Sequence, residues 1–304
     1  MNFDHILNNL HVKCSAEKDT GKIANYIPEL KKVNANKFGI YLDTLSTEQV
    51  GIGDCNEKFS IQSISKVFTL TLALKIIGDK IWKRVGVEPS GDPFNSLVQL
   101  ELEKGIPRNP FINSGALVIA DLLVSKLKNP KEDTLNFIRK ISNNQNIYSN
   151  ESIAASEKKY GFKNAAHINL MKSFGNIKNS VDEVLDYYYQ MCAIEMSCKE
   201  LASSFQLFAN GGVLPYNNEE ILTPSYTKRI NATMQLCGLY DEAGNFAFKV
   251  GLPGKSGVGG GIVAVCPHKY AIAIWSPKLN KKGNSVKALK VLEEFTTQTE
   301  LSIF

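Results

Sequence analysis

The segment Phe59-Ser60-Ile61-Gln62-Ser63-Ile64-Ser65-Lys66-Val67 sets a hydroxyl and an amine three residues apart. A serine attacks as a nucleophile only when a base takes its proton, and a neutral lysine amine can be that base. If a helix opens at about Ser63, Ser63 and Lys66 lie one turn apart on one face. The serine then sits at the helix N-terminus, where backbone N–H groups are free and negative charge is favoured. Acyl transfer through a serine ester is the chemistry that suits this arrangement.

Spacing alone does not single out this pair. Ser-x-x-Lys also occurs at Ser15/Lys18, Ser125/Lys128, Ser156/Lys159 and Ser225/Lys228. A capping serine followed by a solvated lysine accounts for such matches. Ser63 and Lys66 differ in their flanks. Phe59 to Ile64 and Val67 to Leu74 are apolar, whereas the other pairs lie among charges or turn residues. Burial disfavours an ammonium and pushes lysine toward its neutral form.

The elements that must position this pair follow from periodicity. Phe3, Ile6, Leu7 and Leu10 give an amphipathic opening helix. Pro28 biases Ile27 away from helix and puts Tyr26 near a turn. Phe38 to Leu42 alternates as a strand, with Gln49 to Gly53 as its antiparallel partner. The Ser63 helix extends to about Ile77 and stops at Gly78. From Trp82 to Asn210 strand signals fade. Gly115 to Leu127 is helical; Val181, Val184, Leu185, Tyr188 and Cys192 share a face. Leu201, Phe205 and Phe208 share another, closed by Asn210-Gly211-Gly212. Strands return as a hairpin, Gly261 to Cys266 and Tyr270 to Trp275, before a last helix from Val286 to Gln298. The expected fold is α+β: an antiparallel sheet from N- and C-terminal strands, flanked by helices, with an inserted all-helical lobe. The expected organisation is one domain, 1–304, of two lobes: 1–80 plus 212–304, and 81–211.

Composition narrows the function classes. An apolar content of 43% over 304 residues is ample for a large core. The net charge of +5 is mild and scattered, so no basic stripe points to nucleic acid. Cys14, Cys55, Cys192, Cys198, Cys237 and Cys266 form no C-x-x-C pair and share no metal-ligand spacing with the four histidines. Free thiols, no signal-like N-terminus and no long apolar run lead to an expected cytoplasmic protein with no membrane span, no metal and no cofactor.

Lys255-Ser256-Gly257 precedes Gly259-Gly260-Gly261 and the C-terminal hairpin. With Ser63-x-x-Lys66 it forms the two-part pattern of serine β-lactamases and penicillin-binding proteins. The Ser-Asp-Asn expected of a β-lactamase is absent. More segments match another family. They include Tyr26-Ile27-Pro28-Glu29-Leu30, Gln62-Ser63-Ile64-Ser65-Lys66-Val67, Asn109-Pro110-Phe111-Ile112-Asn113-Ser114-Gly115-Ala116, Ser156-Glu157, Asn164, Tyr187-Tyr188-Tyr189-Gln190, Gly238-Leu239-Tyr240-Asp241 and Gly254-Lys255-Ser256-Gly257-Val258. On these the chain closely resembles the β-lactamase-fold glutaminases, over nearly its whole length. Ser114 and Gly254 depart from it, small residue for small.

That resemblance implies hydrolysis of L-glutamine to L-glutamate and ammonia. It implies Ser63 as nucleophile, Lys66 as activating base, and Tyr188 and Tyr240 as active-site tyrosines. It implies that Tyr26, Asn113, Glu157 and Asn164 hold the substrate's α-amino and α-carboxylate ends. The backbone N–H groups of Ser63 and Val258 would hold the oxyanion. A homo-oligomer, dimer or tetramer, is the implied assembly. Lys255 reads as a surface lysine beside a turn or as structural support for the site, and the sequence leaves both open.

Overall fold

The computed structural model describes residues 1–91 and 96–304. Five antiparallel strands form the main sheet: β1 (Gly39–Thr44), β2 (Gln49–Gly53), β6 (Gly254–Ser256), β7 (Gly261–Cys266) and β8 (Tyr270–Trp275). Their order is β2-β1-β8-β7-β6, so the first hairpin of the chain pairs with the last. Gly39 faces Trp275 and Thr44 faces Tyr270 in that junction. The architecture is the α+β one expected, with sheet strands from both ends of the chain.

Both faces of the sheet are covered, which is why β1, β7 and β8 are buried at every position. Ile40, Leu42, Ile262, Ile272 and Ile274 point to one side, among residues of the helices Phe3–Ala16 and Val286–Thr299. Tyr41, Val263, Val265, Ala273 and Trp275 point to the other, into the larger core shared with the helical region. The helix Cys198–Ala209 packs directly on this second face, although it belongs to the stretch that reads as helical lobe.

The helix Ser65–Ile77 lies deep in that larger core. Every residue from Ser65 to Leu74 is buried, as expected for a helix apolar all round. It packs against the helices Asn113–Lys126 and Val181–Cys192. The helix begins two residues later than Ser63. Gln62–Ile64 forms a 3₁₀ turn that leads into it, and Gly78, at φ +66°, ends it.

The stretch from Trp82 to Asn210 is not purely helical. Two short strands within it, β4 (Tyr148–Ser149) and β5 (Ile194–Met196), form a second sheet with β3 (Phe59–Ser60), in the order β3-β5-β4. Segments of two or three residues carry no readable alternation. This small sheet fixes the start of the Ser63 turn, since Ile61 N–H donates to the Ile194 carbonyl at 2.9 Å.

One buried carboxylate holds the helical region together. Asp121, with no exposed surface, sits within the helix Asn113–Lys126. It accepts from the Lys178 and Asn179 amides at 3.0 and 2.8 Å and pairs with Arg84. Removing it leaves those amides without their acceptor and takes the one carboxylate from the guanidinium, which among the described residues keeps only the Asn176 oxygens. Asp121→Ala is expected to cost ~3 kcal/mol or more. A denaturant unfolding midpoint unchanged by this substitution would show that the loop closes without it.

Candidate active site

Ser63 stands where three elements converge. The 3₁₀ turn holds it with Gln62 at φ +50°, a left-handed conformation in a residue with a side chain. From the main sheet, the Gly257–Gly259 loop between β6 and β7 presses on the chain just before it. A Cβ on Gly257 would stand 2.3 Å from the Ile61 carbonyl oxygen, and one on Gly259 would stand 2.0 Å from that of Ser60. Only glycine permits this approach. It sets Val258 on the wall of the cavity that contains Ser63. Among the described residues, the Val258 N–H has no backbone acceptor. The third element is the Tyr240–Glu242 turn, where Tyr240 has φ +56° and lines the same cavity as Ser63.

The cavity holds about 470 Å³. Tyr26, Ser63, Asn113, Glu157, Asn164, Tyr188, Tyr240 and Val258 all line it. Of the nine candidates, only Lys66 does not. Its side chain lies under the floor, with 2% of the residue exposed. Tyr26 is at the opposite extreme, 57% exposed at the rim, in the extended approach to Pro28.

Lys66 Nζ donates to Asn113 Oδ1 at 2.7 Å and to the Phe111 carbonyl at 3.2 Å. It lies 5.9 Å from the Tyr188 ring centre and 5.8 Å from that of Tyr240. Burial pushes its ammonium down to about 8, against the weaker pull of the Cys192 and Glu157 charges. The Ser63 hydroxyl opens on the cavity, while the amine is paired with Asn113 and Phe111. The two groups share a neighbourhood without a recorded hydrogen bond between them.

Glu157 comes from the helix Glu151–Tyr160, capped by the Asn150 side chain. It is 9% exposed, and burial pushes its carboxyl up to about 7, opposed by a hydrogen bond from Gln62 and the charge of Lys66. Gln62 Nε2 donates to Glu157 Oε1 at 2.8 Å and to Ser60 Oγ at 2.9 Å. Asn113 Nδ2 donates to Asn164 Oδ1 at 3.1 Å, and Asn164 Nδ2 donates to the Tyr189 hydroxyl at 3.3 Å. The Asn109 side chain makes this possible. Its Oδ1 accepts from the Phe111 and Ile112 amides at 3.0 and 3.1 Å and turns the chain into Asn113.

Gln62 and Lys255 were not among the candidates. Lys255 is no surface residue. It is fully buried, donates to the Gly238 and Ser256 carbonyls at 2.8 and 2.7 Å, and lies 4.2 Å from the Tyr240 ring centre. Burial, with Lys66 nearby, holds its ammonium well below the usual lysine range. It thereby ties strand β6 to the loop that presents Tyr240. The apolar, glycine-rich flanks of Lys255 were the one sequence signal of burial. Among the described residues, no cluster of histidine, cysteine or acidic side chains is placed to hold a metal.

A family model for glutaminases matches residues 21–304. The chain belongs to the glutaminase family. It is 60% identical to a glutaminase of Saccharophagus degradans over 99% of its own length and 97% of the relative's. It is 53% identical to one of Christiangramia forsetii over the whole of both chains. The fold superposes on the probable glutaminase ybaS with a TM-score of 0.92 at 32% identity, covering 99% of this chain and 97% of that one. On Mglu in its tris and glutamate form the TM-score is 0.94 at 29% identity, over all of this chain and 68% of that one. The glutaminase family and the β-lactamase-like fold inferred from the motifs are therefore both correct.

The buried carboxyl gives a pH test with a definite sign. Glu157 is raised from 4.5 to about 7, so between those values the folded protein binds a proton that the unfolded chain has lost. Its contribution to stability therefore falls as pH rises from 4.5 to 7. Lys66, lowered from 10.5 to about 8, acts in the opposite sense from 8 to 10.5. Glu157→Gln keeps an acceptor for Gln62 and removes the charge. It is expected to be more stable than the wild type at pH 7.5, by on the order of 1 kcal/mol or more, and indistinguishable from it near pH 4.5. Equal unfolding free energies at both pH values would show that the carboxylate is ionised without penalty.

Proposed function

We propose that the protein hydrolyses L-glutamine to L-glutamate and ammonia through a γ-glutamyl ester on Ser63. The observation that carries this reading is the pairing of a pocket-lining serine with a buried, easily deprotonated lysine one turn away. Neutral Lys66 takes the Ser63 proton as the serine oxygen attacks the side-chain amide carbon. The carbonyl electron pair moves onto oxygen, held by the Ser63 and Val258 amides. When it returns, the C–N bond breaks, and the nitrogen leaves as ammonia with the proton that Lys66 gave up. Tyr240, which lines the cavity with Ser63, and Tyr188, both with their rings near the amine, are suited to relay that proton. Water then attacks the ester with the same base, releasing glutamate and restoring Ser63.

In this reading the α-amino end of the substrate meets Glu157, and its charge draws the carboxyl back to the ionised form. Asn113, Asn164 and Tyr26 surround the α-carboxylate. We read the chain as one catalytic domain with its site in the seam between two lobes, 1–80 with 212–304, and 81–211. In support, Tyr26, Ser63, Tyr240 and Val258 come from the first stretch and Asn113, Glu157, Asn164 and Tyr188 from the second. A cytoplasmic location agrees with six free, buried cysteines. Among the described residues, no helix is long and apolar enough to cross a membrane. A homo-oligomer completes the reading.

Ammonia release from glutamine and asparagine, with the absorbance change of a chromogenic β-lactam on ring opening, tests the assignment. Glutamine is the expected substrate. Asparagine, one methylene shorter, brings its amide carbon up short of Ser63 when its α-groups are held, and misplacement of this kind costs ~100-fold. Comparable turnover of asparagine or of the β-lactam would overturn the substrate assignment.

Ser63→Ala should abolish turnover and retain the fold. Lys66→Arg keeps a cation that does not deprotonate, so it should be as inactive as Lys66→Ala. In the wild type, kcat should rise with pH through about 8, as Lys66 loses its proton. An active arginine variant would reduce Lys66 to an electrostatic role.

A further inference from the structure

An amine buried in a protein core has its directions assigned by whatever oxygens it meets. Two oxygens are recorded as acceptors for Lys66 Nζ, Asn113 Oδ1 at 2.7 Å and the Phe111 carbonyl at 3.2 Å. A neutral amine has two N–H bonds and one lone pair. With both N–H bonds committed, the lone pair occupies the tetrahedral direction that remains. We propose that Asn113 is a positioning residue for Lys66: its carboxamide oxygen and the Phe111 carbonyl hold both N–H bonds, leave the lone pair for the Ser63 proton, and so tie the base to the asparagine pair of the pocket. This rests on the reading of Lys66 as the base, and it assigns Asn113 more than a grip on the substrate.

The orientation of the Asn113 amide is fixed from both sides. Its oxygen faces two donors, Lys66 and the Tyr188 hydroxyl, the latter at 3.4 Å. Its nitrogen donates to Asn164 Oδ1 at 3.1 Å. A flipped amide would set an N–H group against an amine and a phenol. The chain continues through Asn164 Nδ2 to the Tyr189 hydroxyl, which donates to the Gly161 carbonyl at 3.3 Å. A substrate carboxylate that recruits the Asn113 or Asn164 nitrogen acts on the amide whose oxygen steers the base. The backbone supplies the second oxygen without mobility, because Asn109 fixes the Phe111 turn. Binding of the α-groups and readiness of the base are thus linked through one side chain.

The charged and titratable groups around the amine are few. Glu157 faces it from the helix Glu151–Tyr160, Tyr188 and Cys192 from the helix Val181–Cys192, Tyr240 from the turn Tyr240–Glu242, and Lys255 from β6. Asn113 is neutral and touches the amine directly. A charge placed there acts on Lys66 at closer range than Glu157 does, since Glu157 has no recorded hydrogen bond to the amine.

The test uses Asn113→Asp and Asn113→Ala in the full chain, with two readouts. The first is the Lys66 titration, followed by the ε-carbon resonance of 13C-lysine-labelled protein and assigned by its loss in Lys66→Arg. The second is kcat against pH. Asn113→Asp sets a carboxylate on the amine and should move both midpoints to higher pH by ~1–3 units. Asn113→Ala removes an acceptor of the ammonium and should move the titration the other way, while the plateau kcat falls ~10-fold or more because the lone pair is no longer directed. Opposite shifts support the proposal, since a purely structural role would give none. If both variants raise KM alone and leave the Lys66 titration in place, Asn113 only binds substrate and the proposal fails. If the titration moves and the kcat profile does not, the base reading fails, and the proposal with it.

Discussion

An amine without water is the constraint around which this protein is built. Lys66 lies inside a helix whose first ten residues are all buried, so its charge has no solvent to stabilise it. Two oxygens face it, and burial lowers its proton affinity into the range where a base is useful. Much else serves this one arrangement. Asn109 turns the chain so that Phe111 and Asn113 offer their oxygens. Asp121 anchors the helix that begins at Asn113. The fully buried Lys255 is a second amine, whose own charge is disfavoured by burial and by Lys66.

The strain in the site has identifiable supports. Gln62 and Tyr240 both adopt left-handed backbone conformations, and they flank Ser63 from different parts of the chain. Such residues cost of order 1–3 kcal/mol each and persist when their surroundings over-determine them. Gln62 is held by Ser60 and Glu157. The turn of Tyr240 is held by Lys255, through the carbonyl of Gly238 and across the ring of Tyr240 itself. The glycine loop supplies the remaining constraint. Gly257 and Gly259 let the edge of the sheet touch the backbone before Ser63, so Val258 reaches the cavity from a short loop held between two strands of the sheet.

Among the titratable groups of displaced affinity in the cavity region are a carboxyl near 7 and an amine near 8. Both are displaced mainly by desolvation, and each charge moderates the other. Opposite displacements of this kind mark sites where protons are managed. The cost is a fold that is less stable than its apolar core alone would make it. The surrounding core, closed on both faces of the sheet, is large enough to carry it.

The sequence by itself determined four strands of the main sheet and six of the helices. Strands β1, β2, β7 and β8 and the helices at both ends follow from period and punctuation, because apolar residues at those spacings have only one way to be buried. Repeated short motifs in one order also carried the family, and with it eight pocket residues and the lysine beneath them. What sequence could not decide was contact between distant segments. The three-stranded sheet β3-β5-β4 uses strands too short to show a pattern. The burial of Lys255, the hold of Gln62 on Glu157 and the grip of Asn113 on Lys66 each join residues far apart in the chain. Such contacts depend on how segments close against one another, and a hydrogen bond of about 3 Å is set by that closure and not by the identity of either partner. The sequence named the groups that could do the chemistry. Only the tertiary structure decided which oxygen each N–H would meet.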